Sequence, residues 1–125
     1  MADLIYKDLS YKINGIAFEI DNLIGFGQSE KTYVNAFEKL LSKNNVKYER
    51  EKYLPIKIDE EVVAKKYIDL LVDDKIVVEV KTGDYSYKKV CSQTFQYLKS
   101  GNYKLGIVIR FTKNGVKLKR IPCFY

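Results

Sequence analysis

Apolar residues recur every three or four positions in two stretches near the beginning of the chain. This spacing places them on one side of a helix and is typical of amphipathic helices that pack on a core. The first stretch runs from Leu9 to Leu23 and ends before a Gly-Phe-Gly sequence, which interrupts helices. The second follows Ser29, a residue type that favours the N-cap position, and ends at Asn44. The pattern therefore predicts two helices in the first third of the chain.

Shorter apolar segments, some of them alternating with polar residues, occupy the rest of the chain and predict β-strands. Acidic residues at 59–61 and 73–74 and an Asn-Gly pair at 114–115 predict turns. A third amphipathic stretch, Tyr87–Lys99, predicts a helix that stops at Gly101. The predicted strands are Lys47–Lys52, Leu54–Ile58, Tyr67–Val72, Lys75–Lys81, Tyr103–Phe111 and Val116–Ile121.

The order of these elements is α-α-β-β-β-β-α-β-β. It predicts an α/β layered fold in which helices pack on a mixed central β-sheet. No repeat, low-complexity tract or linker divides the chain, and its 125 residues are the size of one domain. We therefore expect residues 1–125 to form a single domain.

Charged residues interrupt two of the most apolar predicted strands. Glu79 and Lys81 are two positions apart, so their side chains project from one face, while Val78 and Val80 point to the other. Asp69 lies on the preceding strand, and a hairpin closed at residues 73–74 would bring it across from Glu79. Two carboxylates and a lysine would then converge. A structural ion pair or a solvated face would produce the same pattern, and both interpretations stay open.

Composition narrows the chemistry that these residues could perform. The chain has no histidine, which excludes Ser-His and Cys-His hydrolases and His-ligated zinc enzymes. Its two cysteines, Cys91 and Cys123, fit no zinc motif, and we expect reduced thiols. Carboxylates are natural ligands of Mg²⁺, an ion that can activate water and stabilise charge on a phosphate. The formal net charge of +6 favours a polyanionic partner such as nucleic acid.

The N-terminal residues and the apolar runs bear on location. The N-terminus lacks the basic-then-apolar order of a secretory signal. No apolar run approaches the roughly 18 residues that a membrane span needs. We therefore expect a cytoplasmic protein with no membrane partner.

Several motifs resemble those of one nuclease superfamily. Asp69 followed by Glu79-Val80-Lys81 resembles the D…ExK core of the PD-(D/E)xK nucleases. The segment Gly27–Tyr33, GQSEKTY, resembles the signature of the GxxExxY proteins, and Glu19–Gly27 is similar to the E-V-H-R-x-L-G-P-G run that precedes it there. The segment Gln93–Tyr97 is similar to the Q-x-x-x-Y motif of RecB-type nucleases. The resemblance extends from Leu9 to Ile121, and it departs from the family pattern at Asp21, Phe26 and Val90, where His, Pro and a polar residue or His are usual.

The resemblance implies a restriction-endonuclease-like core and a role for each residue of the site. Asp69 and Glu79 would bind Mg²⁺ or Mn²⁺, with the Val80 carbonyl as a further ligand. Lys81 would be the catalytic lysine. The site would be completed by Glu30, a catalytic residue on a helix whose carboxylate contacts the metal directly or through water, and by Gln93 and Tyr97, which would line the nucleic-acid side.

Some of these residues also have a purely structural interpretation. A negative charge at Glu30 is favoured by the helix dipole, because this residue falls in the first turn of a predicted helix. Gln93 and Tyr97 share a helix face, but they could be surface and packing residues. Tyr33 could belong to the core. The sequence leaves these alternatives open.

The leading functional hypothesis is Mg²⁺- or Mn²⁺-dependent cleavage of DNA phosphodiester bonds. A second enzyme hypothesis is an endonuclease similar to the small archaeal Holliday junction resolvases, which are basic dimers, and it leaves a homodimer open. A third hypothesis is a nucleic-acid-binding module that keeps the fold without turnover, and a fourth is an interaction protein whose basic charge is incidental. The sequence favours neither exonuclease nor endonuclease action, and RNA stays open as the substrate.

Overall fold

The chain folds into three helices and five strands in the part that the computed structural model describes, residues 5–83 and 86–124. The helices lie where the apolar spacing predicts them. In chain order the elements are α1 (Lys7–Ile24), α2 (Glu30–Lys43), β1 (Tyr48–Ile58), β2 (Glu61–Val72), β3 (Ile76–Thr82), α3 (Tyr87–Gly101), β4 (Leu105–Thr112) and β5 (Gly115–Pro122).

The strands form one sheet in which the spatial order follows the chain order, β1-β2-β3-β4-β5. The neighbours β3 and β4 are parallel, and α3 makes the crossover connection between them. The pairs β1–β2, β2–β3 and β4–β5 are antiparallel. The mixed sheet flanked by helices that the sequence predicts is therefore confirmed.

Each face of the sheet is covered by different helices. α1 and α2 pack on one face, where Val78 and Val80 belong to the same apolar cluster as the buried sides of both helices. α3 packs on the other face, in a cluster that includes Val77. Because side chains alternate along a strand, Glu79 lies on the α3 side of β3, opposite its two valine neighbours. The sequence predicted this separation of charged and apolar faces.

The first two strands differ from the prediction. Residues 48–58 form one strand instead of two, because β1 is at the edge of the sheet, where a proline such as Pro55 is tolerated. β2 begins at Glu61 rather than at Tyr67. Together β1 and β2 make a long hairpin whose outer part, residues 52–67, we call the hairpin arm. The paired rings of Tyr53 and Tyr67 on this arm are 43% and 54% exposed.

The end of α3 also differs from the prediction. Gly101 is the last residue of the helix, and Asn102 takes the left-handed conformation at the cap, with a φ of 59°. Asparagine is one of the few residues other than glycine that adopt this conformation readily.

The sequence predicts no membrane-spanning segment. Across the residues that the structure describes, no helix is both long and apolar enough to cross a membrane. The cytoplasmic location stays a prediction.

Cys91 and Cys123 are free thiols that pack in or against the apolar cluster beneath α3.

Candidate active site

β2 and β3 separate where the charged residues lie. Their backbone ladder ends at the pair Leu70–Val78. One position further, the Asp69 N–H donates to Glu79 Oε2 at 2.9 Å, and the Val80 N–H donates to Asp69 Oδ2 at 2.8 Å. Carboxylate oxygens thus take the places that backbone carbonyls occupy in a regular ladder. The structure brings Asp69 and Glu79 together as the hairpin prediction expects.

The sheet also twists at this point. The register of β1 and β2 pairs the residues on either side of Glu51 with those on either side of Asp69, and Glu51 has a left-handed φ of 51°. Ile68 and Leu70 are two positions apart, yet they pack in apolar clusters on opposite faces of the sheet. In a regular strand they would share a face. The irregularity beside Asp69 therefore turns the hairpin arm towards the α3 side of the sheet.

The surroundings of the two acids disfavour their charged forms. Glu79 is only 3% exposed. Burial, followed by the charge of Asp69, raises the pKa of Glu79 to about 8. Burial also raises the pKa of Asp69, against the opposing effects of the Val80 N–H bond and the charge of Lys81. Neighbouring acids held where their charges are unfavourable are typical of metal-binding and catalytic sites.

The donor atoms around Asp69 and Glu79 fit a hard divalent cation. Each N–H bond described above uses a single oxygen of its carboxylate, and carboxylate oxygens are preferred ligands of Mg²⁺ and Mn²⁺. The N–H and C=O of a strand residue point to the same side, so the Val80 carbonyl faces β2, as its N–H does. Within residues 5–83 and 86–124, no three acidic, cysteine or histidine side chains form a metal-binding group. Two carboxylates and a carbonyl nevertheless suit Mg²⁺, which keeps several waters.

Glu30 lies at the rim of the site. It occupies the first turn of α2, where the Ser29 hydroxyl accepts the Thr32 N–H at 3.1 Å and caps the helix. Glu30 and Asp69 line one cleft of about 270 Å³. The charge of Glu30 contributes to the raised pKa values of Asp69 and Glu79, although the described residues include no group in which all three acids meet.

Tyr33 holds the turn that leads to Glu30. Its hydroxyl donates to the Gly25 carbonyl at 2.6 Å, and the Gln28 N–H donates to the same hydroxyl at 3.3 Å. Its ring is buried and stacks on Phe111 of β4, with the centroids 3.8 Å apart. Tyr33 is therefore a core residue, one of the interpretations that the sequence left open, and its polar end fixes the backbone before α2.

Lys81 and Gln93 lie on the α3 side of the acids. Lys81 is half-buried and lines a cleft of about 160 Å³ with Gln93 and Lys89 of α3. The charge of Lys81 lowers the pKa values of Asp69 and Glu79, so the lysine lies within electrostatic reach of both. Two predicted site residues, Lys81 and Gln93, thus lie together at one end of the site.

Tyr97 is placed differently from Gln93. It is only 5% exposed and packs in the apolar cluster beneath α3, whereas Gln93 is exposed. Burial raises the pKa of Tyr97, and the charges of Glu79 and Asp69 add to the rise, so the phenol lies near the acids. Tyr97 is therefore mainly a packing residue beside the site, and a role in binding nucleic acid stays a prediction.

Arg50, Glu51 and Lys31 line the same cleft as Glu30 and Asp69, but they were not among the predicted site residues. Arg50 forms an ion pair with Glu38 of α2 at 2.6 Å. For Arg50 and Glu51, the only signal in the sequence was the charged run at positions 49–52. Such a run is equally typical of a solvated edge strand.

Comparisons with known proteins identify the fold and the superfamily. A search of curated protein sequences finds no match. Among solved structures, the crystal structure of SSO0001 is similar with a TM-score of 0.58 and 21% identity, over 93% of this chain and 61% of that chain. The alkaline exonuclease LHK-Exo from Laribacter hongkongensis is similar with a TM-score of 0.54 and 10% identity, over 99% of this chain and 73% of that chain. A likeness at these identities shows the fold. A family model of the PD-(D/E)XK nuclease superfamily matches residues 7–121, and the chain therefore belongs to this superfamily.

Proposed function

We propose that this chain is a divalent-metal-dependent nuclease that hydrolyses phosphodiester bonds of DNA, with Asp69, Glu79 and Lys81 at its centre. The observation that carries the proposal is the pair of reciprocal bonds between Asp69, Glu79 and the backbone at the separation of β2 and β3. These bonds hold two acids side by side in a buried position where their charges repel. Lys81 supplies a positive charge next to them.

The proposed cofactor is Mg²⁺ or Mn²⁺, held by Asp69, Glu79 and the Val80 carbonyl. When bound, the ion would polarise the scissile phosphate and lower the pKa of a water molecule. Glu30 would act through water from the rim of the cleft, which it shares with Asp69. The raised pKa of Glu79 supports this assignment, because a cation beside the two acids removes the cost of their mutual repulsion.

The chain's own residues would orient the substrate and balance its charge. Lys81 lies within electrostatic reach of both acids, and it lines one cleft with Lys89 and Gln93 of α3. An ammonium group in this position would stabilise the negative charge that grows on the phosphate as water attacks and the phosphorus–oxygen bond breaks. Phosphate contacts from the surrounding lysines would make binding sensitive to salt.

Within the superfamily, we assign the chain to the GxxExxY group. The assignment rests on the position of the three signature residues: Gly27 lies in the turn before α2 with a φ of 109°, Glu30 lines the cleft, and Tyr33 fixes the turn. Glycine adopts this φ without strain. The glycine and the tyrosine of the signature thus stabilise the turn that places Glu30 in the same cleft as Asp69.

A second candidate, a dimeric endonuclease similar to junction resolvases, is favoured by one surface. An apolar groove of about 720 Å³ lies between α1 and α2, and Leu23 on its edge is 68% exposed. Glu19 of α1 and Lys39 and Lys43 of α2 also line this groove. A two-fold arrangement of two copies could place each Glu19 against the lysines of the other copy. Such a dimer would carry two sites.

The proposal is tested by a cleavage assay on single-stranded, duplex and four-way-junction DNA and on RNA, each with Mg²⁺, Mn²⁺ or EDTA. Metal-dependent cleavage of DNA is expected, and cleavage that persists in EDTA would contradict the proposal. Sedimentation of the wild type and Leu23→Asp separates the two candidates. A dimer that this substitution dissociates, together with a preference for junctions, would favour the second.

A further inference from the structure

Two adjoining clefts run along α3 and share Gln93. The first, of about 160 Å³, opens beside Lys81, and the second, of about 380 Å³, lies between α3 and the hairpin arm. We call the combined surface the α3 groove. Its lining residues are Lys81, Ser86, Lys89, Val90 and Gln93 in the first cleft, and Ile56, Lys66, Gln93, Gln96, Tyr97, Lys99 and Ser100 in the second.

The charge of the α3 groove has one sign. Four lysines, at positions 66, 81, 89 and 99, line it, and the described lining includes no carboxylate. Helix α3 itself has no acidic residue between Tyr87 and Gly101. The cleft on the other side of the acids is different, because it contains Glu30, Glu51 and Asp69 besides its basic residues. A polyanion is therefore favoured on the α3 side.

The shape of the α3 groove favours a single strand. Lys66 belongs to β2 in the hairpin arm and Lys99 to α3, so basic residues line the groove from two opposing elements. The wider cleft, of about 380 Å³, can enclose part of one strand, whereas a duplex, whose backbones lie on either side of a major groove about 12 Å wide, would lie across its mouth. The amides of Gln93 and Gln96 offer hydrogen bonds to phosphate and sugar.

We propose that the α3 groove binds a single-stranded nucleic-acid segment that leads to the Asp69–Glu79–Lys81 site, with Lys66 and Lys99 holding its phosphates from two sides. The inference rests on the proposed nuclease function and specifies that the nucleic acid bound beside the site is single-stranded. It places the single strand, rather than the duplex, next to the acids.

The test measures binding of fluorescein-labelled dT12 and of a blunt 20-bp duplex by anisotropy, in EDTA so that no cleavage occurs. The variants are Lys66→Ala/Lys99→Ala, the charge-keeping Lys66→Arg/Lys99→Arg, and the control Lys7→Ala/Lys12→Ala on α1, across the sheet from α3. We expect the alanine pair to weaken dT12 binding about tenfold and to reduce the salt slope by about 1.4, since each single-strand phosphate contact contributes about 0.7. The arginine pair and the control should bind like the wild type. A U12 probe in parallel reports on RNA, and the same loss with it also supports the groove.

The inference is overturned if the wild type does not bind dT12, if it binds the duplex as tightly, or if the alanine pair binds dT12 with unchanged affinity. Thermal unfolding of the alanine pair and recovery of binding by the arginine pair separate lost contacts from lost folding. Cleavage of single strands with unchanged KM by the alanine pair would overturn the groove and leave the nuclease intact. Binding that depends on Lys66 and Lys99, without cleavage in any metal, would support the groove and contradict the nuclease.

Discussion

The Asp69 backbone donates its N–H to the Glu79 carboxylate, while the Asp69 carboxylate accepts the N–H of the residue that follows Glu79, at 2.9 and 2.8 Å. One oxygen of each acid therefore accepts a backbone N–H and holds the two strands together. The negative charge of the carboxylate is not needed for this bond. An amide side chain keeps the oxygen and removes the charge. The substitutions Asp69→Asn and Glu79→Gln thus separate structure from function.

The stability of the metal-free protein should fall between about pH 4.5 and 8 because of Glu79. Its pKa rises from 4.5 to about 8 on folding, so within this window the unfolded chain has lost a proton that the folded chain retains. Each increase in pH therefore favours unfolding, and the stabilising contribution is complete only below the unfolded pKa. Thermal unfolding in EDTA from pH 5 to 8 should show the wild type losing stability relative to Glu79→Gln.

The control for this experiment is Glu61→Gln, a substitution of an exposed carboxylate at the start of β2. Its pH profile should parallel that of the wild type. A constant difference between the wild type and Glu79→Gln across the whole range would show that the pKa of Glu79 is the same in the folded and unfolded chain, and would contradict the prediction.

Mn²⁺ should stabilise the folded wild type, and more strongly at pH 8 than at pH 5.5. Carboxylate ligands must lose their protons before they bind a metal, and burial raises the pKa values of Asp69 and Glu79. Binding to the folded state then raises the melting temperature, by an amount that grows with the logarithm of the Mn²⁺ concentration once this exceeds Kd. A titration followed by scanning fluorimetry measures this shift. Equal shifts in the wild type and Asp69→Asn would place the ion elsewhere.

Much of the candidate site could be predicted from local patterns. The two-residue spacing of Glu79 and Lys81 gives them a shared face in a regular strand. Asp73-Asp74, which have positive φ values of 54° and 56°, close the hairpin that brings Asp69 across. These features depend on near neighbours in the chain. The hairpin itself could therefore be predicted from the sequence of residues 67–81.

The twist beside Asp69 could not be predicted, because nothing in the sequence indicates a left-handed φ at Glu51. The length of the hairpin arm was missed for a related reason. Leu54 is its one residue in the apolar clusters, and cross-strand pairs such as Tyr53 with Tyr67 stabilise the rest, so its residues show no continuous apolar face. The cleft that contains Arg50 is lined by Glu51 and Asp69, the residues at this twist, so it too could not be predicted.

Tyr33→Phe should weaken both folding and catalysis. The change keeps the ring stacked on Phe111 but removes the hydroxyl that bonds to Gly25 and Gln28, at a cost of about 1–2 kcal/mol in unfolding free energy. The loosened turn would displace Glu30, which takes part in the proposed reaction. We therefore expect kcat to fall about tenfold.

Chemical denaturation and single-turnover cleavage measure the two effects of Tyr33→Phe. Tyr48→Phe on β1 is the matched control, since Tyr48 packs against the same apolar cluster. Wild-type activity in Tyr33→Phe, despite a measurable loss of stability, would remove Glu30 from the proposed reaction.

Lys81→Ala should abolish cleavage without unfolding the protein. Lys81 is half-buried near the end of β3, and its ammonium lies within reach of both acids. Its loss should reduce kcat by at least about a hundredfold, as expected for a group that stabilises transition-state charge. Lys12→Ala on α1 controls for the loss of one positive charge. Substantial turnover by Lys81→Ala would assign that stabilisation to another residue.

The central claim is tested most directly by the single-turnover cleavage rate of Glu79→Gln beside the wild type and Glu61→Gln, on the best DNA substrate in Mg²⁺. Because glutamine keeps the acceptor for the Asp69 N–H, the variant should fold like the wild type. We predict metal-dependent cleavage by the wild type and Glu61→Gln, and a loss of at least about a hundredfold in Glu79→Gln. Cleavage by folded Glu79→Gln at the wild-type rate would contradict the assignment of this site as the nuclease centre.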